Sequence, residues 1–480
     1  MPGQQPPELA KFDTQARLTA ALVEAEDTFQ GDLERDLKAI RSQIDPSDDI
    51  VTRPVPNAAT PAVLLYQEGS VDLSTLAPAV LKYAREGVLS SIPEVRTVSS
   101  PRAAVAALLQ GNAVLLIAGT RSASVLPFPS SLQPTTPQTE RVVRGPHQAF
   151  TPSLPANLAL LRILVQSQNL RVEYVPLTPR SEAKVALCHV AGQASPSVRE
   201  EILKRLTRAE ELSFVDVADL KISLVDDSWS PFVNVQLTER VDTTALGILR
   251  GRYAIFLTGS QQALLAPATF ADMMTSAEDR YLPRFLADTS RLLRWVSIIT
   301  ALLLESTYIA ITQVHQELLP TPLAFAVARS RTGVPLPVFA EVVLMAVIIE
   351  VLREAAIRLP SSLSQTISIV GALVIGQAVV QASLISAPVI VLVAIVALAS
   401  FTAPQYENAL IIRFLRFPAM VAAASLGLFG VASYGLLLLL HMAKLRSFGV
   451  AYLSPIAPWH TGRLPRLIRW PMKGQNPEMP

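Results

Sequence analysis

The sequence predicts an α+β multi-domain membrane protein, with two related cytoplasmic α/β subdomains followed by an α-helical transmembrane domain. Three observations lead there. Apolar residues make up 50% of the 480 residues and the mean hydropathy is +0.37, yet the long apolar runs begin only after Leu292. Before that point, short apolar runs alternate with glycine turns and amphipathic stretches, the pattern of strands and helices. Within this half, two sequence patterns recur.

Residues 1–60 are polar, with a helical run around Arg17 to Ile44. The acidic IDPSDDI at 44–50, with Pro54 and Pro56 after it, reads as a linker, and part of the segment is expected to be disordered. The first α/β subdomain is placed at 61–140. AVLLYQ (62–67) suits a buried strand. LSTLAPAVLKYA (73–84) and PRAAVAALLQ (101–110) are helical, the second stopped by Gly111. NAVLLIAG and TRSASVLPF form a hairpin about Gly119. A Pro/Ser/Thr-rich connector at 127–139 leads into the second subdomain, 141–290. That subdomain opens with a helix, LPANLALLRILVQSQNL (154–170), and the strands RVEYVPL and KVALCHVAG. The stretch 62–84 resembles 184–206, and 111–127 resembles 251–267, each of the latter two following a short helix. This predicts two related units, the second enlarged around Asp226 to Glu239. The alternative is a chance likeness of two unrelated hairpins.

Composition excludes several classes of function. A formal charge of +2 with no basic groove argues against nucleic acid. The single cysteine, Cys188, forms no internal disulfide and reads as a small buried apolar residue. His147, His189, His315, His441 and His460 are scattered and read as structural. There is no P-loop, no GxGxxG and no GxSxG, so neither an enzyme nor a cofactor is expected. The N-terminus has no apolar h-region, which predicts a cytoplasmic N-terminal half.

The transmembrane domain is placed at 291–445 and a basic cytoplasmic tail at 446–480. Leu292 to Ile311 is about 20 residues, roughly 30 Å of helix, enough to span. The charged segment 338–359 follows, then Ile367 to Ile385 and Val389 to Phe401. The run 409–445 reads as an interfacial segment, a break at Pro418 and a full span. Arg284, Arg291 and Arg294 precede the first span, and Lys444, Arg446, Arg463, Arg466, Arg469 and Lys473 follow the last. Both ends are therefore cytoplasmic, which requires an even number of crossings against five apolar segments. The favoured solution is four spans, with 338–359 in the interface or buried against other helices. The other has that segment crossing while one arm of 367–401 does not.

Glu350, Glu354 and Arg358 share one helical face at i, i+4, i+8, with Arg353 beside them. An unpaired charge at mid-bilayer costs at least about 2.5–3.5 kcal/mol, so these groups must pair, reach the interface or face water. They form either a gating or ion-conducting surface or an ion-paired helix joining subunits. Gln377 and Gln381 share a face at i, i+4, with Gly371 and Gly376 permitting close helix packing; the glutamines read either as helix–helix contacts or as pore-associated residues. Glu305 interrupts the first span, a candidate pore-associated residue that either neutralises a buried arginine or sits protonated.

RVVRGPHQAF (141–150), NLALLRILVQSQNL (157–170), the TER before Asp242, RTGVPLP (331–337), EVLREAAIRLP (350–360), IVGALVIGQAVVQASLISAP (369–388) and SFGVAYLSPIAP (447–458) together resemble the A subunits of GerA-type spore germinant receptors. The resemblance covers roughly Asp48 to Pro458. It implies a protein of the spore inner membrane that acts with B and C subunits to sense small nutrients. It also implies self-association into a homo-oligomer that forms an ion channel in membrane lipid. Arg144, Gly145, Pro146, Glu239, Arg240 and Asp242, in the first and third motifs, become candidate subunit-interface residues. A secondary transporter and a non-conducting scaffold are the competing readings. The chain departs from the family pattern at Val241, where ERPD is usual, at Val233 in SPFVN, at Leu257-Thr258 in the second hairpin, and in LESTYIA of the first span.

Overall fold

The structure, a computed structural model, describes residues 28–44, 47–86, 94–178, 181–208, 214–225, 229–358, 377–378 and 381–457. Two five-stranded antiparallel sheets form the first half. The first contains β1 (Ile50–Pro54), β2 (Ala62–Gln67), β3 (Arg96–Val98), β4 (Ala113–Ile117) and β5 (Ala123–Leu126), in the order β1-β2-β4-β5-β3. The second contains β6 (Leu170–Thr178), β7 (Ser181–Val190), β8 (Gln236–Thr238), β9 (Tyr253–Leu257) and β10 (Ala263–Ala266), in the order β6-β7-β9-β10-β8. In each sheet the third strand lies at the far edge and a glycine-turned hairpin fills the gap beside it.

Helices cover both faces of each sheet, which explains strands that read as unbroken apolar runs. Leu64 and Tyr66 pack with Leu76 and Val80 of the helix Leu73–Glu86. Leu65 faces the other way, toward Ile40 of the helix Leu33–Ile44 and Leu108 of the helix Pro101–Leu109. Alternation along a strand puts neighbours on opposite faces. In the second sheet, Ala186 and Phe256 meet Leu158 and Ile248, while Leu187 and Ile255 meet Ile202 and Leu220.

Two sequence expectations change here. The stretch read as linker, 44–50 with Pro54 and Pro56, is built into the first unit: Ile44, at the end of the expected helical run, enters its core, Val55 is buried, and β1 pairs along β2. Asp49 is wholly buried and receives Arg162 through Nε at 2.5 Å and Nη2 at 2.7 Å, which joins the two sheet units. The helix expected over 154–170 stops at Val165, because Gln166 takes a left-handed conformation with φ 46° and turns the chain into β6.

A helical bundle follows. α1 (Arg284–Ile309) runs away from the sheets and ends in a π-turn, Ala310–Val314. α2 (Thr321–Ser330) lies at the far end. α3 (Val338–Arg358) returns, buried through Val338, Val342, Met345 and Ala346 against α1 and its neighbours. α4 (Ala387–Ser400) runs parallel to α3, with Ser386 bonded to Glu341 at one end and Ser400 to Arg353 at the other. The expected span Ile367–Ile385 lies mostly outside the described residues.

The last helical stretch, α5 (Tyr406–Lys444), is a hairpin rather than a rod. Gly427 has φ 59° and ψ −140°, outside helical space. Tyr434 Oη donates to the Leu415 carbonyl at 2.8 Å. Nineteen residues of continuous helix would hold these atoms roughly 28 Å apart. The arms 406–426 and 428–444 therefore lie side by side, with Ile411 and Leu415 packed in one cluster with Leu438. The break expected at Pro418 is at Gly427. Pro418 stays within the first arm.

Candidate functional site

Charged side chains gather at three levels of the bundle. In the middle, α1 supplies Glu305, α3 supplies Glu350 and Arg353, and α5 supplies Arg413 and Arg416. Arg416 reaches Glu305 through Nη1 at 3.1 Å and Glu350 through Nη2 at 3.0 Å. Arg413 and Arg353 approach the same Glu350 carboxylate at 3.5 and 3.2 Å. The side chains of Glu305 and Arg416 are 1% and 2% exposed. Three guanidinium groups thus surround two carboxylates. Arg353 also lies 4.8 Å from the Phe401 ring centroid, a desolvated cation over an aromatic face.

At the far end Glu341 is fully buried. It accepts from Arg331 Nε at 3.1 Å, from the Ser386 backbone N–H at 2.9 Å and from Ser386 Oγ at 2.8 Å. One carboxylate therefore ties together the ends of α2, α3 and α4. At the near end Asp279 receives Arg291 at 3.2 Å and Arg294 at 3.1 Å, and Arg294 also donates to the Met274 carbonyl at 2.7 Å. This fastens the base of α1 to the second sheet unit. Lys221 to Glu407, Ser230 to His441, and Asn408 to the Met273 carbonyl fasten both arms of α5 to it.

Beside that base, the RGP and ERVD motifs meet across about a hundred positions of sequence. Glu239 Oε1 accepts from the backbone N–H groups of Thr139 and Glu140 at 2.6 and 2.9 Å. Arg240 forks onto Asp242 at 3.0 Å and donates to the Pro146 carbonyl at 2.8 Å. Tyr281 Oη donates to Asp242 at 2.8 Å, and burial together with that carboxylate pushes the phenol up to about 12. Gly145 has φ 114°, and a Cβ there would lie 2.5 Å from the Tyr281 ring. Val241, in the slot of the family proline, is fully buried and donates its N–H to the Gln148 carbonyl at 3.3 Å.

Burial, reinforced by the adjacent Glu239 carboxylate, pushes Glu140 up to about 7, although Thr238 and Arg240 pull the other way. A carboxyl raised in the fold holds its proton more tightly there than in the unfolded chain. Its contribution is complete below the unfolded pKa near 4.5 and is lost as pH rises through about 7. Glu140→Gln mimics the protonated form. It is expected to leave thermal stability of the full chain nearly unchanged at pH 4 and to raise it at pH 8 by on the order of 2 kcal/mol. Equal effects at the two pH values in calorimetry would contradict this assignment.

The sequence candidates fall in different places. Glu350, Arg353 and Glu305 come together. Glu354 and Arg358 pair with each other at 2.6 Å, but on the outside, with side chains 61% and 77% exposed. Gln377 and Gln381 are also exposed. Arg144 is exposed, Gly145 and Pro146 are partly buried, and the polar groups of Glu239, Arg240 and Asp242 engage partners within the chain. Sequence reasoning did not select Arg413, Arg416, Asp279 or Glu341 as site residues. The available signal was the i, i+3 arginine pair of RFLRF, set within an apolar run.

Residues 38–479 match the family model described as Bacillus/Clostridium GerA spore germination protein. Spore germination protein A1 of Bacillus subtilis is 38% identical over 364 residues, covering 75% of this chain and 76% of the relative. The uncharacterized membrane protein YfkQ of the same organism is 37% identical, covering 77% and 72%. Spore germination protein GerLA of Bacillus cereus is 32% identical, covering 82% and 78%. The crystal structure of the N-terminal domain of the A subunit of the Bacillus megaterium spore germinant receptor GerK3 aligns with 51% of this chain and 97% of its own. That alignment has 23% identity and a TM-score of 0.38.

Proposed function

The chain belongs to the GerA family of spore germination proteins, and we propose that it is the A-type subunit of a nutrient germinant receptor in the spore inner membrane. In this reading it acts with B and C subunits, self-associates, and opens an ion path when nutrient binds a partner. No catalysis is involved.

The observation that carries the reading is the depth of the central charge cluster. Arg294 marks the base of α1, and His315 lies at the far turn, roughly 31 Å along the helix. That matches a hydrocarbon core of about 30 Å. Glu305 then sits roughly 16 Å deep, near mid-bilayer, with Arg416 and Glu350. Leu292, Leu293, Val296 and Ile299 on α1, and Leu436, Leu437, Leu439 and Leu440 on α5, remain exposed for lipid or neighbouring subunits. The α5 hairpin supports an even count of crossings. The base of α1 and the end of the second arm both lie against the second sheet unit, through Arg294 to Asp279 and His441 to Ser230, so the chain enters and leaves the bundle on one side.

Charges at this depth persist only if they serve packing or conduction, and conductance separates the two. Purified full-length protein in planar bilayers, with its B and C partners and nutrient, is expected to show single-channel steps. Glu350→Gln is expected to shift open probability by on the order of tenfold. Glu354→Gln, which breaks only an exposed pair worth about 0–1 kcal/mol, is expected to change little. Silent bilayers with intact oligomers would assign the cluster to packing and the protein to a scaffold role. Substrate-coupled uptake would instead identify a transporter.

A further inference from the structure

A cavity of about 60 Å³ lies where the second sheet unit meets the base of the bundle. A single water needs roughly 10–15 Å³ of such space, so it holds a group of about four to six heavy atoms. Five arginines line it, Arg141, Arg240, Arg250, Arg252 and Arg280, against two carboxylates, Glu140 and Asp272. Asp242 answers Arg240 from just outside. Six cationic or anionic partners so counted, apart from the Arg240–Asp242 pair, leave four arginines facing Glu140 and Asp272, an excess of two positive charges. Asp272 already accepts from Thr269 Oγ1 at 2.7 Å, and the proton affinity of Glu140 described above lowers its average charge further.

Two donors here have no partner among the described residues. Gln405, 8% exposed, lines the cavity with Nε2 unbonded, and Arg280 Nε is buried and unbonded. Gln405 stands at the N-cap of α5 and makes no side-chain capping bond. A buried donor left unsatisfied costs about 1–3 kcal/mol, so an acceptor is expected in this space.

We propose that this cavity is a binding site for a small oxyanion of the phosphate or carboxylate type, held by the arginines and by Gln405. The ligand bridges the second sheet unit and the first turn of α5, so binding reinforces the joint between the two halves of the protein. The site is separate from the mid-bundle cluster and stands whether or not the bundle conducts.

The test uses full-length protein in neutral phosphatidylcholine nanodiscs at constant ionic strength. Inorganic phosphate and acetate are titrated against chloride by calorimetry, and a parallel sample contains phosphatidylglycerol. Gln405→Glu places a like charge in the cavity and is expected to weaken phosphate binding about tenfold or more. Arg141→Gln, at an exposed position, is expected to weaken it by a smaller factor while preserving the fold. Saturable phosphate or acetate binding that both variants reduce supports a soluble ligand. Competition of that binding by phosphatidylglycerol supports the same site and assigns a lipid headgroup as its source. Absence of anion-specific binding, or binding unchanged in both variants, overturns the proposal.

Discussion

Replacing Arg416 with methionine is expected to destabilise the protein by about 3–5 kcal/mol and to deplete the folded, monodisperse fraction in detergent. The cost comes from what remains. Glu305 has a side chain only 1% exposed, and its charged partner is Arg416. Glu350 keeps Arg413 and Arg353, so the loss falls mainly on Glu305. Removing both members tests this directly. Glu305→Leu with Arg416→Met exchanges a buried pair for apolar groups, which is often neutral. The double variant is expected to recover most of the lost stability, with a coupling of about 2 kcal/mol or more between the two positions. Additive losses in thermal unfolding would show that the two side chains act through other neighbours. If the double variant folds but lacks the proposed conductance, the cluster serves conduction as well as packing.

Gly427→Val is the second large effect. Its φ of 59° with ψ −140° is nearly confined to glycine, and such strain costs about 1–3 kcal/mol in other residues. A Cβ there would also meet His315 Nε2 at 2.4 Å and Val314 Cγ1 at 2.9 Å. Backbone strain and crowding act together, for an expected total of roughly 3–5 kcal/mol. The arms should splay, breaking the Tyr434–Leu415 bond and releasing His441 from Ser230. Labelling of cysteines introduced into the tail should then report a mixed orientation. Gly435→Ala has no neighbour among the described residues within 4 Å of the new carbon and should stay within about 1 kcal/mol of the parent. A single tail orientation in Gly427→Val would remove the turn from this account of the topology.

The parts legible in the sequence were those set by short-range pattern. AVLLYQ coincides with β2, and the glycine turn at 119 sits between β4 and β5, because apolar runs of strand length bounded by turn residues leave few alternatives. The hairpin of α5 was not legible. Gly427 lies among several small residues that also suit ordinary helix packing, whereas Pro418 carries the stronger textual signal of a break. A proline inside a packed bundle is tolerated when neighbours satisfy the freed carbonyl. The ion pairs were hidden for another reason. Arg416 meets Glu305 from 111 positions away and Arg162 meets Asp49 from 113, and no local spacing announces either. Helical periodicity instead favoured Glu354 and Arg358, which share a face with Glu350 but lie beyond the packed region.

The bundle is also an insertion with its two ends tied side by side. Ser447 Oγ accepts from the Ala268 N–H at 3.0 Å, and the Phe270 N–H donates to the Tyr452 carbonyl at 2.8 Å. Phe448 enters the second core, beneath Arg205 at 4.3 Å. Its arrival is a matter of timing during synthesis. The second unit receives this last aromatic ring only after some 180 intervening residues have been made, a loop whose closure costs roughly 4–5 kcal/mol. A ribosome stalled within the last helical arm would therefore display a sheet with one slot still vacant, and completion of that slot reports that the helical bundle has been made.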